Sequence, residues 1–97
     1  MGEIAWTERA RRDLQDIVEY ISRDSKAYAQ SFSLRLRNAI GRLSSFAESG
    51  RLIPEDPERG IREVLVENYR ILYRVAEGRV IILTVVHGAR NIEPPPK

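Results

Sequence analysis

The sequence contains no cysteine and a single histidine, His87, and these scarcities limit the chemistry open to the chain. Without thiols there can be neither disulfides nor thiolate metal sites, and one histidine cannot build a histidine-based metal site. We therefore predict no metal and no cofactor. The apolar runs are too short to cross a bilayer, and the N-terminus lacks the apolar core of a signal peptide. The expected protein is cytoplasmic and makes no membrane contact.

Lysine is also scarce, because only Lys26 and Lys97 occur among the 16 Lys and Arg residues, while the formal net charge is only +2. The planar guanidinium fork of arginine binds phosphate or carboxylate bidentately, which suits nucleic acid or an acidic protein partner. An arginine-rich proteome or the base composition of the genome would give the same ratio of arginine to lysine, so both interpretations stay open. A length of 97 residues allows one domain with one modest core.

Two amphipathic helices are predicted in the first half of the chain. Thr7 supplies an N-cap for the first, which should end near Arg23, and Asp24 or Ser25 can cap the second. Because the link between them is short, we expect an antiparallel hairpin over about 7–48. Apolar residues at spacings of three and four along the second helix form a stripe that we assign to the core. Its members are Ala29, Phe32, Leu36, Ala39, Leu43 and Phe46.

The second half of the chain is rich in β-branched and aromatic residues and is predicted to form strands. A short strand also opens the chain. Residues 49–60 contain several prolines and glycines, which mark this segment as a loop. The predicted strands are 2–6, 61–66, 69–76 and 79–87. The resulting fold class is α+β in the order β-α-α-β-β-β, with an α-helical hairpin packed on one face of an antiparallel sheet. We expect one domain over 1–97, comprising the hairpin, a three-stranded antiparallel segment at about 61–87 and a proline-rich tail at 91–97.

A two-residue turn at 77–78 sets the expected register of the last two strands. If the residues flanking this turn pair, Val85 lies directly opposite Arg70 and His87 lies diagonally from it. The sheet face turned away from the helices then carries an apolar floor edged by polar side chains, which we call the predicted patch. Its members are Leu65, Leu72, Ile81, Leu83 and Val85 in the floor, with Glu63, Arg70, Arg74 and His87 at the edge. An uncovered patch of this kind is typical of a partner site.

Six short motifs follow one another over nearly the whole chain. They are W-T-E-R-A-x-x-D-L at 6–14, Ile17 with Tyr20-Ile21, G-R at 50–51, I-R-E-V at 61–64, Y-R-I-L-Y-R-V at 69–75 and V-V-H-G-A-R at 85–90. In this order they resemble the toxins of the ParE and RelE superfamily, from bacterial and archaeal toxin-antitoxin pairs. The resemblance implies a RelE/ParE-like fold with the same order of elements, and a cognate antitoxin that wraps across the toxin surface. DNA would then be contacted only indirectly, through the antitoxin.

The superfamily divides by mechanism. RelE-like members cut mRNA in the ribosomal A site by making the 2′-hydroxyl attack its own phosphate. On this resemblance, the catalytic set of a ribonuclease would be Arg70, His87 and Arg90. The positions that hold lysines in RelE-like toxins fall on Ile61 and Glu63 here, and no C-terminal tyrosine follows Arg90.

These departures favour the ParE-like branch, whose members poison DNA gyrase and have no recognised hydrolytic centre. Arginine is always protonated and transfers protons poorly, and Glu63 would place a negative charge where the phosphate should lie. The favoured function is a type II toxin that inhibits growth by poisoning gyrase and is neutralised by a cognate antitoxin. The alternatives are a RelE-like ribosome-dependent mRNA endoribonuclease, whose partners are the ribosome and mRNA, and a degenerate toxin that acts only as a binding module.

Two candidate residues also have a structural interpretation. Arg70 is either an ion-pair partner of Glu63 or a contact for the target or the antitoxin. His87 either caps its strand or acts as an acid and base near neutral pH. Arg90 follows a glycine on a loop, where a contact role is favoured. The predicted patch and Arg90 together are the candidates for target or antitoxin contact.

Overall fold

Two helices pack on one face of a five-stranded sheet in the computed structural model, which describes residues 2–88. The elements are β1 (Glu3–Trp6), α1 (Glu8–Ser22), α2 (Lys26–Gly41), β2 (Arg51–Leu52), β3 (Arg62–Val66), β4 (Tyr69–Ala76) and β5 (Arg79–His87), with short 3-10 turns at Arg42–Ser44 and Pro57–Arg59. The predicted α+β class is confirmed. Arg90 and the predicted tail at 91–97 lie outside the described residues. Neither helix in 2–88 has both the length and the apolar character needed to span a bilayer.

Side-chain caps start both helices. The Thr7 hydroxyl accepts a hydrogen bond from the Ala10 amide at 3.1 Å, which satisfies a donor that the first turn leaves unpaired. Ser25, rather than Asp24, caps α2 and accepts from the Tyr28 amide at 3.0 Å. Both caps therefore lie where the sequence predicted a helix start.

The apolar stripe of α2 is shorter than predicted. The helix ends at Gly41 and passes into a 3-10 turn, so Phe46 is no longer in helical phase with the stripe. Its side chain is 66% exposed, and the assignment of Phe46 to the core was therefore wrong. The other members of the stripe are all buried.

The sheet differs from the predicted antiparallel arrangement at both of its edges. Its strand order is β1-β5-β4-β3-β2. At one edge β1 runs parallel to β5, with Ile4 beside Val80. At the other edge β2 forms inside the segment predicted to be a loop and pairs antiparallel with β3. Because β2 is only two residues long, it has no periodicity that a sequence pattern could detect.

A β-bulge shifts the register of β4 and β5 in the middle of the two strands. The predicted register holds for 73–76, but Leu83 is an additional residue on β5, and beyond it Arg70 pairs with Val86. The prediction that Val85 lies opposite Arg70 was therefore wrong. Because side chains alternate between faces, the shift moves Val85 into the core under the helices and Val86 to the other face.

Asp13 and Thr7 hold the bulge from the helix side. The Asp13 carboxylate accepts hydrogen bonds from the Thr84 hydroxyl and from the Val85 amide, the latter at 3.1 Å. The Thr7 hydroxyl donates to the Leu83 carbonyl at 3.0 Å. A bulge interrupts the ladder and leaves backbone groups that need other partners. Thr7, the N-cap of α1, and Asp13, in the first half of the helix, supply those partners where α1 contacts β5.

Asp13→Ala is expected to lower the free energy of unfolding by about 1 to 2 kcal/mol, because the Val85 amide would lose its partner beside the core. Asp13→Asn keeps a carbonyl oxygen that can accept from the same two donors, so it should cost clearly less. Urea denaturation of the three proteins measures the difference, and amide hydrogen exchange reports on Val85 directly. Equal stability of the alanine variant and the parent would show that the bulge does not depend on Asp13.

A second apolar cluster lies on the sheet face away from the helices. It consists of Ile53, Ile61, Leu72, Leu83 and Val86, all of them buried. Residues 53–61, which we call the covering segment, contribute the two isoleucines, and the Ile53 amide donates to the Ile61 carbonyl at 3.0 Å. Removing these side chains from water favours this closed arrangement. The face predicted to be uncovered is therefore largely covered by the chain itself, and that prediction was wrong.

Candidate functional site

Arg70 is bound by two carboxylates. Its Nε donates to Glu63 Oε1 at 2.6 Å, and its two terminal nitrogens donate to the two oxygens of Glu55 at 2.6 and 2.8 Å. The Nε of Arg51 donates to the other oxygen of Glu63 at 2.5 Å. We call these four residues the Arg70 cluster. The structural interpretation of Arg70, an ion pair with Glu63, is confirmed.

The Arg70 cluster is assembled from four elements of the chain, β2, the covering segment, β3 and β4. Leu65 pairs with Arg70, as predicted, and Glu63, two residues away on β3, shares the same face. Arg51 comes from β2, and Glu55 comes from the covering segment. The ion pairs therefore fasten the covering segment to the sheet beside the second apolar cluster.

The Arg70 cluster is largely buried and electrically balanced. The Glu63 side chain is fully buried and that of Arg70 is 7% exposed, whereas that of Arg51 is 68% exposed. Two guanidinium charges face two carboxylate charges. All three nitrogens of the Arg70 guanidinium already donate to carboxylates, in charge-assisted bonds that are stronger than neutral ones. A phosphate or an acidic partner that approached Arg70 would meet a guanidinium whose charge two carboxylates already match.

The pairing shifts the pKa values of both partners. Hydrogen bonds from Arg70 hold the pKa of the Glu55 carboxyl below its usual range, against the opposing effect of partial burial. Hydrogen bonds to Glu55 and then to Glu63 raise the pKa of Arg70 further above its already high value. Arg70 and Glu55 are therefore both charged at neutral pH, and neither is suited to proton transfer there.

Glu55→Gln is expected to flatten the acid limb of the stability profile. The folded-state pKa of Glu55 lies below the unfolded value of 4.5, so its contribution to stability is present above about pH 4.5 and is lost as the pH falls through the lowered folded pKa. Melting temperatures measured between neutral pH and pH 3 should converge for parent and variant at the acid end. Glu67, whose pKa is also lowered, is retained in both proteins and cancels in the comparison. Parallel profiles would contradict the assignment.

The structure brings only part of the predicted patch together. A surface hollow of about 580 Å³ is lined by Arg70, His87 and Leu65, with Arg51 and Glu55 beside them. The Leu65 side chain is 58% exposed. This hollow is the candidate contact site that remains of the predicted patch.

The other members of the predicted patch do not line this hollow. Arg74 pairs with Ile81 on the predicted face, where it is half-buried. Leu72 and Leu83 lie in the cluster beneath the covering segment, and Val85 lies in the core under the helices. The prediction that Val85 is an exposed floor residue was therefore wrong, because the bulge places its side chain on the opposite face of the sheet.

His87 does not share the face of Arg70 by register. It pairs with Tyr69, and the two ring centroids are 5.4 Å apart in an edge-on contact. The bulge again accounts for the difference, because it moves every partner beyond it by one residue. His87 lines the hollow from the exposed end of β5. Arg90, the third residue of the predicted ribonuclease set, lies outside the described residues.

Sequence reasoning missed a hydrogen-bonded junction next to the Arg70 cluster. The Tyr73 hydroxyl accepts from the Gly50 amide at 2.9 Å and donates to the Ala47 carbonyl at 2.8 Å, and Arg62 donates to the Gly50 carbonyl at 2.7 Å. Three of the recognised motifs, G-R, I-R-E-V and Y-R-I-L-Y-R-V, meet at this junction, so their positions were the available signal. Glu55 belongs to none of these motifs, so no pattern in the sequence indicated that it would pair with Arg70.

The fold places the chain in a class of small toxin-antitoxin proteins. It superposes on a chain of the chromosomal ParDE toxin-antitoxin system from P. aeruginosa with a TM-score of 0.72 and 21% identity, covering 90% of this chain and 96% of that one. It also superposes on a chain of the toxin-antitoxin complex RelBE2 from Mycobacterium tuberculosis, with a TM-score of 0.59 and 28% identity, covering 89% and 96%.

Sequence comparison identifies the family. Residues 4–92 match the model of the ParE toxin of the type II toxin-antitoxin system parDE, and the chain belongs to this family. It is 41% identical to Toxin RelE2 of Caulobacter vibrioides over 93% of this chain and 99% of that protein. It is 36% identical to the putative toxin Y4kP of Sinorhizobium fredii over 88% and 86%. The predicted membership of the ParE and RelE superfamily of type II toxins is confirmed.

Proposed function

We propose that this protein is a ParE-like toxin that arrests growth by binding DNA gyrase and that a cognate antitoxin holds it inactive. The observation that carries the proposal is the neutralised Arg70, the described residue that would have to bind the scissile phosphate in a ribonuclease. The match to the ParE family model supports the same branch. Gyrase acts in the cytoplasm, which is also the compartment expected from the sequence.

The residues of this site are poorly suited to RNA cleavage. Attack by a 2′-hydroxyl needs cations that neutralise the developing phosphorane charge, and groups that transfer protons at neutral pH. The charge of Arg70 is already matched by Glu55 and Glu63, so an approaching phosphate would meet two carboxylates. His87 is the only histidine in the sequence, and histidine is the side chain that most often acts as a general acid or base.

A ribosome-dependent endoribonuclease is the second candidate. It is favoured by the presence of His87 and Arg70 in one hollow, and by the similarity to proteins named Toxin RelE2 and RelBE2. Such an enzyme would use His87 for proton transfer, with Arg70 and Arg90 bound to phosphate. It would require the Arg70 cluster to open.

Expression in cells that lack the antitoxin tests the proposal. Gyrase poisoning predicts induction of the SOS response and filamentation, while translated transcripts stay intact. In-frame cleavage of translated mRNA would overturn the proposal in favour of the endoribonuclease. Absence of any effect on growth would instead indicate a degenerate toxin that acts as a binding module.

His87→Ala is expected to leave growth arrest nearly intact, because binding to gyrase requires no proton transfer. In a ribonuclease the same substitution would remove the general acid or base and reduce cleavage by about 100- to 10,000-fold. The assay is the induction level needed for arrest, compared at equal toxin abundance. Because His87 contacts Tyr69, the melting temperature of the purified variant must match the parent for the comparison to hold. Complete loss of arrest in a folded variant would argue for acid-base chemistry.

A further inference from the structure

A second hollow beside His87 is lined by aromatic rings and carboxylates. It has a volume of about 320 Å³ and lies between α1, the end of β5 and the start of β4. The rings are those of Tyr20, Tyr69 and His87, and the carboxylates are those of Asp13 and Asp16. We call this hollow the aromatic pocket. Its volume is at the lower end of the range for small-molecule sites, so it suits one small group.

The rings of the aromatic pocket differ in how firmly they are held. The half-buried Tyr69 packs against Phe32 on one side and His87 on another, with ring centroids 5.2 and 5.4 Å apart. Tyr20, by contrast, is 66% exposed. Burial, and then the charge of the nearby Tyr20 hydroxyl, raise the pKa of Tyr69, so the two phenols lie close together. Neighbouring aromatic rings at an open pocket attract a cation placed over their faces.

The carboxylates of the aromatic pocket retain acceptor capacity. Asp13 accepts both of its hydrogen bonds on Oδ2, so its Oδ1 has no donor within residues 2–88. Asp16 lies one turn further along α1, is exposed and takes part in no salt bridge in the same range. Arg9 also lines the pocket but pairs with neither carboxylate there. The pocket therefore has an excess of one negative charge, in a chain whose formal net charge is +2.

Rings and carboxylates together favour a cationic ligand. Within the described residues, no group of three or more His, Asp or Glu side chains is placed to hold a metal ion. A nucleobase also stacks on aromatic rings, but the excess negative charge would repel its phosphate. A guanidinium group satisfies both features of the pocket, because it is planar, stacks on aromatic faces and donates bidentate hydrogen bonds to carboxylates.

We propose that the aromatic pocket binds a guanidinium group, which stacks on Tyr20 and Tyr69 and donates hydrogen bonds to Asp16 and to Oδ1 of Asp13. The group belongs either to a free small molecule or to an arginine side chain of the target. The second source rests on the proposed binding of gyrase, whereas the first is independent of it. The Arg70 cluster takes no part in this site.

Titration with Nα-acetyl-arginine amide, followed by nuclear magnetic resonance, tests the aromatic pocket directly. We expect the signals of Tyr20 and Tyr69 to shift with a Kd in the millimolar range, because so small a probe makes few contacts. Nα-acetyl-citrulline amide has nearly the same shape without the charge and should bind at least about tenfold more weakly. Equal binding of the two probes would overturn the inference, and so would unshifted tyrosine signals. Shifts caused instead by a single-stranded DNA oligonucleotide would assign the rings to base stacking.

Two substitutions locate the bound probe, and a third provides the control. Asp16→Asn removes an exposed charge from the pocket and should weaken binding of the arginine probe at least about tenfold. Tyr20→Leu removes an exposed ring and should weaken it about two- to fivefold. Asp24→Asn makes the same change in charge as Asp16→Asn at an exposed residue outside the pocket, so it should bind as the parent does. Parental affinity in both pocket variants would overturn the inference.

Purified DNA gyrase distinguishes the two sources of the guanidinium. If an arginine of the target enters the pocket, Asp16→Asn should bind gyrase at least about tenfold more weakly than the parent and the Asp24→Asn control. It should then arrest growth only at higher induction. Unchanged affinity for gyrase, with the arginine probe still bound by the parent, would assign the pocket to a free small molecule. If the parent itself does not bind gyrase, the proposed function fails, while the titration still decides whether the pocket binds a guanidinium.

Discussion

Glu63→Ala is expected to lower the free energy of unfolding by about 3 to 5 kcal/mol, because it leaves the Arg70 guanidinium buried with half of its charge compensation removed. The Glu63 side chain is fully buried and that of Arg70 is 7% exposed, so water cannot replace the lost carboxylate without opening the structure. For a domain of this size each kcal/mol corresponds to about 4 to 8 °C in melting temperature. The fall should therefore exceed about 10 °C in thermal denaturation at neutral pH.

Two further variants show whether the loss comes from the buried charge. Glu58→Ala removes an exposed carboxylate from the same covering segment and should leave the melting temperature almost unchanged. Arg70→Ala alone should also destabilise the protein, but the double variant with Glu63→Ala should lose less than the two separate losses together, because the residues interact directly. A parental melting temperature for Glu63→Ala would show that the Arg70 cluster does not contribute to stability.

Gly50→Ala is expected to be nearly as damaging, with a loss of about 2 to 4 kcal/mol from steric strain and broken hydrogen bonds. A Cβ at this position would lie 2.5 Å from the Tyr73 hydroxyl oxygen and 2.7 Å from the Glu63 carbonyl oxygen. The Tyr73 ring is fully buried and cannot swing away, so its bonds to the Gly50 amide and the Ala47 carbonyl would be lost together. Urea denaturation measures the effect.

The chain offers a matched control in a second glycine. Gly41 ends α2, and a Cβ there would meet no atom within 4 Å, so Gly41→Ala should be neutral or slightly stabilising through its better helix propensity. Tyr73→Phe keeps the ring and removes only the hydroxyl, which isolates the hydrogen-bonding part of the loss. If Gly50→Ala proves as stable as Gly41→Ala, the close packing at the junction is not a constraint on the sequence.

The motifs that identify the family serve largely to build its fold. Gly50 and Tyr73 form the junction, Glu63 and Arg70 form the ion pair across β3 and β4, and Asp13 holds the bulge. These residues account for the strength of the resemblance without contributing an acid, a base or a free phosphate ligand. Membership of the family is therefore compatible with more than one mechanism, and the charge around Arg70 has to be considered separately.

Local order along the chain followed from the sequence alone. The caps at Thr7 and Ser25, the two helices and the register next to the 77–78 turn depend on contacts between residues close in sequence. The pairing of Leu65 with Arg70 was predictable for the same reason, since one short turn connects β3 and β4. Such contacts leave a periodic or compositional trace that can be interpreted without coordinates.

Only the tertiary structure decided the character of the candidate site. The residues beside the bulge at Leu83 are hydrogen-bonded to Asp13, some 70 positions earlier in the chain, and the bulge places His87 and Val85 on the side opposite to the predicted one. The pairing of Glu55 with Arg70 depends on a loop folding back across the sheet. Neither contact leaves a period in the sequence, because the hydrogen bonds to Asp13 and the ion pair of Glu55 join segments that meet only once the chain has folded.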